Sequence, residues 1–340
     1  MNIDRKDIFD YAKGIGIILV VFGHVERGLL NANIPMDKNF YDLIDSIIYS
    51  FHMPLFFFLS GFFFLKSLEK HGGLKLIQSK SETVLYPYVI FSLIQGLIEI
   101  GLASYTNGST TLGQVLSLLW QPRAQFWFLY VLFAVFLASV VLYRRSETGW
   151  FMWILGVAFA LYFFGAPINV YVINLFAKFF VFFAAGVSVG RLMLYDLAIQ
   201  GRTTMIFLFA AVVFVGSQYI YHGMFGFTVN SNEALPLLFL ALGGIFFVIA
   251  LSSLLVRFKQ RWLLYIGRHS MEIYLIHILA ASGGRIVLQR FFGLSDVTLH
   301  IVFGMLLGIG IPILVPVWAP KCGFGWIFSP PRKLLFWTVR

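Results

Sequence analysis

The chain has 340 residues, of which 59% are hydrophobic and only 12% are charged. Because a soluble domain is about one quarter charged, this composition excludes a soluble protein and indicates one whose apolar surface meets lipid. The net charge of +10 does not indicate nucleic-acid binding, since the basic residues lie in short segments between apolar runs, where they set membrane topology. Cys322 is the single cysteine, so no internal disulfide is expected.

Ten apolar runs are long enough to cross about 30 Å of hydrocarbon. They cover residues 9–29, 44–65, 84–105, 126–143, 150–166, 171–193, 203–221, 234–256, 263–283 and 297–318. The fifth run is short, and the ninth contains the ionisable residues Arg268, His269, Glu272 and His277. The pattern predicts an all-α polytopic membrane protein with about ten transmembrane helices. Charged residues precede the first run and no small-residue cleavage site follows it, so we expect no cleavable signal peptide.

The basic residues predict the orientation of these spans. With the N-terminus in the cytoplasm, 19 Lys and Arg residues lie in inner segments and five in outer ones. The positive-inside rule therefore predicts that both termini are cytoplasmic. No connection is long enough for an added soluble domain, so residues 1–340 are predicted to form a single membrane-embedded domain. The longest outer connection, about 106–125, is predicted either to lie on the membrane surface or to dip back into it.

The first span carries a cation and an imidazole in the stretch K-G-I-G-I-I-L-V-V-F-G-H, from Lys13 to His24. They are 11 residues apart, which is about three helical turns or roughly 16 Å on one face. An ionisable group inside a membrane helix is costly, so it indicates a functional site. Two structural explanations stay open: His24 is satisfied by a neighbouring helix, and Lys13 is a snorkelling anchor or pairs with Asp10.

Further polar residues indicate a cavity between helices. His52 lies in the second span, which runs inward, so it is predicted to lie level with the first-span histidine. Glu99 lies toward the outer end of the third span, and Trp127 opens the fourth, where an interfacial anchor is an adequate explanation. Glu272 and His277 lie in the ninth span but do not share one helix face well.

The remaining motifs are structural or absent. Ser60 and Gly61 are small residues that predict close helix packing. Pro54 frees a backbone carbonyl in the second span. We find no metal-ligand spacing, no glycine-rich phosphate loop and no G-x-S-x-G elbow, and we therefore predict no metal site.

Five stretches in order resemble the acyltransferase-3 family of integral membrane acyltransferases. They are D-Y-A-K-G-I-G-I-I-L-V-V-F-G-H at 10–24, F-H-M-P-L-F-F-F-L-S-G-F-F-F at 51–64, F-W-F-L at 126–129, F-F-A-A-G-V-S-V-G-R at 182–191 and Y-I-G-R-H-S-M-E-I-Y-L-I-H at 265–277. Lys13 and His24 fit the family's pattern of Arg or Lys, ten residues, and His. Each stretch is a weak motif alone, and the five in this order are more specific.

The resemblance implies an enzyme that moves an acyl group, usually acetyl, from cytoplasmic acyl-CoA. The acceptor would be a hydroxyl of a sugar in a surface polysaccharide, in a lipid-linked glycan or, in some branches, in a small molecule. It implies no permanently bound cofactor, since acyl-CoA is the donor substrate, and it implies a multi-pass protein of a bacterial inner membrane. Some members carry a fused extracytoplasmic domain, which is not expected here.

The same resemblance suggests roles for the polar residues. Lys13, with Asp10, would engage the CoA portion at the inner face, and His24 would act as general base or transient acyl carrier. His52 would orient His24 or hold the acceptor. The further acceptor or cavity candidates are Glu99, Trp127, Glu272 and His277.

Two other functions remain open. Many-span proteins with buried ionisable residues often move substrates, so a glycolipid or polysaccharide transporter or flippase is the main alternative. We find no internal repeat in its favour. A non-catalytic scaffold for glycan synthesis is the third hypothesis, and such a scaffold would keep working without Lys13 and His24.

Overall fold

The computed structural model describes residues 5–103, 110–144, 148–192, 203–231 and 233–331. These residues form helices and no strand. The α-helices are α1 (Arg5–Asn31), α2 (Lys38–Phe62), α3 (Phe64–His71), α4 (Gly73–Lys80), α5 (Tyr86–Gly101), α6 (Leu112–Leu116), α7 (Trp127–Leu142), α8 (Thr148–Phe164), α9 (Tyr171–Leu192), α10 (Thr203–Gln218), α11 (Ala234–Leu255), α12 (Arg261–Arg268), α13 (Ser270–Ile286) and α14 (Val297–Trp318). Wider π-helical turns follow α4, α10 and α13.

The helices confirm an all-α polytopic membrane protein. Nine helical segments in the described part of the chain are long and apolar enough to cross a membrane. Two of them, Thr203–Met224 and Val297–Trp318, have only 17% of their apolar window buried, so most of their surface is available to lipid. The predicted fifth span is α8, which has 17 residues and is shorter than the others. The cytoplasmic placement of the termini stays a prediction.

The predicted start of the ninth span, at residue 263, is wrong. The apolar helix is Ser270–Phe291, and Arg261–Arg268 forms the separate helix α12. The chain turns at His269, whose N–H donates to the carbonyls of Tyr265 and Ile266. Gly267 lies against the backbone of Asp10, so α12 is held on α1 by a contact between distant parts of the chain. Hydropathy along the sequence does not report such a contact.

The connection between the third and fourth spans runs back along α5. The carbonyl of Leu118 accepts a hydrogen bond from the hydroxyl of Tyr88, near the start of α5, and Val115 packs beside Gly96 on the same helix. Both Val115 and Leu118 are buried. Of the two predicted arrangements, this geometry favours the one that dips back into the membrane.

The described residues divide into two compact units. The first comprises Met1–Leu59 and Leu192–Ile313, and the second comprises Ser60–Arg191 and Leu314–Arg340. In the first unit, α1 packs against α11, α12 and α13. Gly14 permits the close approach of α12, because a Cβ there would lie 2.6 Å from the carbonyl oxygen of Leu263. The single-domain organisation stays a prediction.

In the second unit, α8 runs antiparallel to α9. Near the start of α8, Phe151 lies under the guanidinium of Arg191, at 4.2 Å from the ring centroid to Cζ. Near its end, the ring of Tyr162 lies 5.9 Å from that of Phe182. The two helices therefore form an antiparallel hairpin, and the crossing of the membrane by α8 stays a prediction. At about 1.5 Å per residue α8 is about 25 Å long, a little less than a typical hydrocarbon core.

Two glycines join α2 to α9 in the second unit. A Cβ on Gly61 would overlap the carbonyl oxygen of Phe183, and one on Gly190 would overlap that of Phe62. The contact is reciprocal, so each helix places its glycine against the backbone of the other. This confirms the predicted packing role of Gly61 and explains two glycines of the sequence motifs at 51–64 and 182–191.

We expect Gly61→Ala and Gly190→Ala each to destabilise the protein by about 1–3 kcal/mol, because the added methyl group must push two backbones apart. The measurement is the folded fraction that elutes as a monodisperse peak from size-exclusion chromatography after heating in detergent. The control is Gly156→Ala in α8, where a Cβ meets nothing within 4 Å. Equal heat resistance of all three variants would contradict the proposed packing.

Candidate active site

The N-terminal end of α1 carries a network of charged side chains. Lys13 Nζ lies 2.8 Å from Asp10 Oδ1, so the predicted pairing of these two residues is present. Asp10 Oδ2 also accepts from Arg268 Nε of α12 at 3.3 Å, and Arg268 contacts Asp7 at 3.1 Å. The side chain of Lys13 is 36% exposed. The network therefore places two cations at the N-terminal end of α1 and leaves Lys13 accessible.

Three histidines meet farther along the first unit. His24 lies on α1, 11 residues beyond Lys13, and its ring centroid is 5.1 Å from that of His277 on α13. Tyr49 of α2 joins them: its ring is 6.4 Å from His24 and 4.5 Å from His52, edge-on to both. The structure thus brings His24, His52 and His277 together around one tyrosine.

Hydrogen bonds orient two of these imidazoles. His52 Nδ1 donates to the carbonyl of Ile48 at 2.7 Å, and His277 Nδ1 donates to the carbonyl of Ile273 at 2.9 Å. A neutral imidazole with its proton on Nδ1 carries a lone pair on Nε2. Both residues are buried, and His277 Nε2 has no hydrogen-bond partner in the described part of the chain. The fold therefore holds a buried basic nitrogen within the histidine cluster.

The ring of Tyr49 is fixed by a cation. Arg27 of α1 lies over its face, with Cζ 3.3 Å from the ring centroid. The same guanidinium binds Asp45 of α2 through two hydrogen bonds of 2.6 and 2.9 Å. The Tyr49 hydroxyl and one carboxylate oxygen of Glu26 are buried and lack partners among the described residues. These groups can accept or donate hydrogen bonds to a polar ligand.

Three residues at this site, Tyr49, Arg27 and Asp45, were not predicted from the sequence. A signal for them exists in the helical spacing. Tyr49 lies three residues before His52 and four after Asp45, so the three share one face of α2. Arg27 lies three residues after His24 on α1. Spacing does not show which faces of α1 and α2 meet, and the packing decides that.

Glu99 has structural partners in the second unit. One of its carboxylate oxygens accepts from Gln95 at 2.9 Å, and the other accepts from Thr110 at 2.8 Å and pairs with Arg123. Gln95 in turn bonds Gln125. This network holds the connection after α5 against that helix. The partners of the Glu99 carboxylate therefore account for its position without a ligand. Its predicted role at the acceptor is not tested by these contacts.

The other two cavity candidates are Trp127 and Glu272. Trp127 belongs to the second unit, where its ring is 5.1 Å from that of Phe179. Glu272 is in the first turn of α13, where a negative charge favours the helix dipole. It makes no hydrogen bond or ion pair with the described residues. Within those residues, no group of three or more His, Cys, Asp or Glu is arranged to hold a metal ion.

Comparison with known proteins identifies the family. The family model described as an acyltransferase domain matches residues 6–316, which is nearly the whole chain. The chain belongs to the acyltransferase-3 family. Its apolar helices agree with a multi-pass membrane protein of that family, and the resemblance of the five sequence stretches is confirmed.

Two relatives of this chain are called nodulation protein NolL. The chain is 28% identical over 186 residues to NolL of Sinorhizobium fredii, a match that covers 54% of this chain and 48% of that relative. It is 23% identical over 332 residues to NolL of Mesorhizobium japonicum, covering 92% of this chain and 86% of the relative. The chain thus spans about half the length of the first relative and most of the second. No solved structure matches it.

We expect Tyr49→Phe to lower the rate of acyl transfer about tenfold, because a hydrogen bond to a bound polar group is worth about 1 kcal/mol or more. The ring contacts with Arg27, His24 and His52 survive this change, so stability should be unaffected. The measurement is kcat/KM together with heat resistance in detergent. Tyr219→Phe, which alters an exposed tyrosine of the same unit, is the control. Wild-type activity in Tyr49→Phe would leave the hydroxyl without a role.

Proposed function

We propose that this acyltransferase moves an acyl group, most simply acetyl, from cytoplasmic acyl-CoA to a hydroxyl of a sugar in a surface polysaccharide or lipid-linked glycan. The observation that carries the proposal is the meeting of His24, His52 and His277 on three helices of the first unit. Bacterial inner-membrane localisation belongs to the same proposal. Membrane lipids, the acyl-CoA donor and the glycan acceptor are its expected partners, and nucleic acid is not among them.

The donor would extend along α1. Lys13 and Arg268 form a cationic pair at one end of this helix, and a phosphate of CoA is a suitable partner for both. The distance of about three helical turns to His24 suits the pantetheine arm. Binding of a phosphate would break the ion pair between Lys13 and Asp10. Asp10 would then still be paired with Arg268. Asp10 would therefore hold the lysine in place before the donor binds.

His24 would act on the acceptor as a general base. It would take the proton of the sugar hydroxyl while that oxygen attacks the thioester carbonyl. The carbon–sulfur bond then breaks, the new ester forms, and the proton passes from His24 to the thiolate of CoA. His277 would stabilise the imidazolium of His24 through its own buried Nε2. His52 would hold the ring of Tyr49 in position. A transient acyl-histidine is the other form of the same chemistry.

The acceptor would be recognised by groups that have no partner in the described structure. The Tyr49 hydroxyl can donate a hydrogen bond, and the carboxylate of Glu26 can accept one. A sugar presents several hydroxyls that do both. A buried polar group that gains such a partner is relieved of the cost of its burial.

Labelled acyl transfer tests this proposal. Purified protein in nanodiscs receives acetyl-CoA labelled in the acetyl group, with a glycan extract as acceptor, and label in the glycan fraction is counted. We expect transfer by the wild type. If the protein neither transfers the label nor binds any acyl-CoA tested, the donor is wrong and the flippase hypothesis takes its place. Binding without transfer would show that the acceptor was missing from the extract, and the extract source is then varied.

A further inference from the structure

A cavity of about 470 Å³ lies in the second unit. Its walls come from α3 and α4, the end of α7, the start of α8 and the end of α9. The lining residues are Leu65, Leu68, Glu69, Gly73, Leu74, Ile77, Val140, Val141, Tyr143, Arg144, Phe151 and Arg191. Most of the wall is therefore aliphatic or aromatic, with a few polar groups.

The polar groups of this cavity favour an anion. Arg144 and Arg191 both line it, against Glu69 as the one acidic side chain of the lining that the structure describes. Arg191 is held in place by the Phe151 ring, 4.2 Å below its guanidinium. Arginine binds a phosphate group with two parallel hydrogen bonds, and two arginines can share one phosphate.

Tyr143 supplies an oriented hydroxyl. The residue is 3% exposed, and its ring is packed by Phe64 at 5.7 Å and by Phe151 at 5.0 Å. Its hydroxyl is buried and has no hydrogen-bond partner in the described part of the chain. A buried hydroxyl without a partner is costly, so it marks a place where a ligand oxygen is expected.

The mouth of the cavity meets apolar surface. Leu74 is 82% exposed and Val141 is 59% exposed, although both line the cavity. Val141 belongs to α7, on which Leu137, one helical turn earlier, is also exposed. A ligand with a phosphate group and a long apolar chain would fit both features: the phosphate would bind in the cavity, and the chain would lie along this apolar surface.

The cavity also lies where one leaflet's head groups are expected. Three segments that are predicted from the sequence to lie on the inner side of the membrane contribute to its lining. They are the basic stretch 66–80, Arg144 and Arg191. Lys66, Lys70 and Lys75 of the same basic stretch are exposed. Basic pockets between transmembrane helices on this side are suited to anionic lipid head groups.

We propose that this cavity binds the head group of an anionic phospholipid, with Arg144, Arg191 and Tyr143 on the phosphate and the acyl chains along α7. This site is separate from the proposed acyl transfer and does not depend on it. A lipid bound here would tie the ends of α7, α8 and α9 to the α3–α4 segment.

The test is lipid binding by the purified full chain in nanodiscs. The protein is reconstituted in phosphatidylcholine, labelled phosphatidylglycerol is titrated in, and binding is followed by energy transfer from tryptophan. We expect saturable binding of phosphatidylglycerol, a loss of affinity of about tenfold in the double variant Arg144→Gln, Arg191→Gln, and a smaller loss in Tyr143→Phe. Arg261→Gln, an exposed arginine of the first unit, is the control and should bind as the wild type does.

Three results would overturn the proposal. One is equal affinity for labelled phosphatidylcholine and phosphatidylglycerol. Another is unchanged affinity in both cavity variants when they elute as folded protein. In the third, acyl-CoA displaces the labelled lipid, but soluble glycerol phosphate with a short acyl chain does not. This result would mean that the cavity binds the donor substrate.

Discussion

The His24→Ala protein should transfer acyl groups about 10²–10⁴ times more slowly than the wild type, which is the usual loss when a general base is removed. The protein should still insert and elute as a folded species, because the change leaves the apolar contacts of α1 with α11, α12 and α13 in place. The measurement is label transferred from acetyl-CoA at saturating donor and acceptor. The control is His71→Ala, which removes an exposed histidine of α3.

The same variant separates two mechanisms. If His24 is an acyl carrier, denaturing the wild type during turnover should trap label on the protein, and His24→Ala should trap none. If it is a general base, neither protein should retain label. Full transfer activity in His24→Ala would rule out both roles and restore the simpler explanation that this histidine is satisfied by its neighbour His277.

Replacing Lys13 by Met should lower kcat/KM for acyl-CoA by about 10–100-fold, because a hydrogen bond to a charged group contributes about 1.5–3 kcal/mol. The loss should fall mainly on KM, since the lysine binds the donor far from the reacting carbonyl. Met keeps the length of the side chain, so packing on α1 is retained. Lys38→Met, on the exposed first turn of α2, is the control.

Asp10→Asn completes this experiment. The change removes the partner that holds Lys13 at 2.8 Å and one of the two partners of Arg268. If Asp10 only positions the lysine, the KM for acyl-CoA should change several-fold less than it does in Lys13→Met. An unchanged KM in Lys13→Met would mean that this lysine is an anchor at the membrane edge.

The sequence predicted the elements well where the signal is local. Hydropathy located the helices of nearly every span, and the last one matches its predicted bounds, Val297–Trp318. The exception is the ninth, where α12 and the true span were merged. The apolar residues W-L-L-Y-I of α12 made it look like the start of the span, although an arginine stands at each end of this helix. Its separate packing on α1, with Gly267 against the backbone of Asp10, is a tertiary contact that a sliding average of hydropathy does not report.

The site was predicted in part. Lys13 and His24 were found because a cation and an imidazole are unusual inside an apolar helix. Their partners were harder to find: Tyr49 is one of 15 tyrosines, and nothing in its neighbourhood distinguishes it except its spacing to His52. The position of His277 beside His24 joins residues more than 250 positions apart. The cavity at Tyr143 likewise combines three separate segments of the chain.

The sequence by itself determined the membrane class, the helical spans, the expected orientation and the family. These follow from composition, apolar length, the sum of charges and short motifs, each of which is a property of the chain read locally. Only the tertiary structure decided which polar residues meet. In a bundle of apolar helices, many pairings bury similar apolar area, and small residues such as Gly14, Gly61 and Gly267 select one of them by allowing close backbone contact. Gly23 makes room for the ring of Tyr49 beside α1 in the same way, because a Cβ there would lie 2.9 Å from a carbon of that ring.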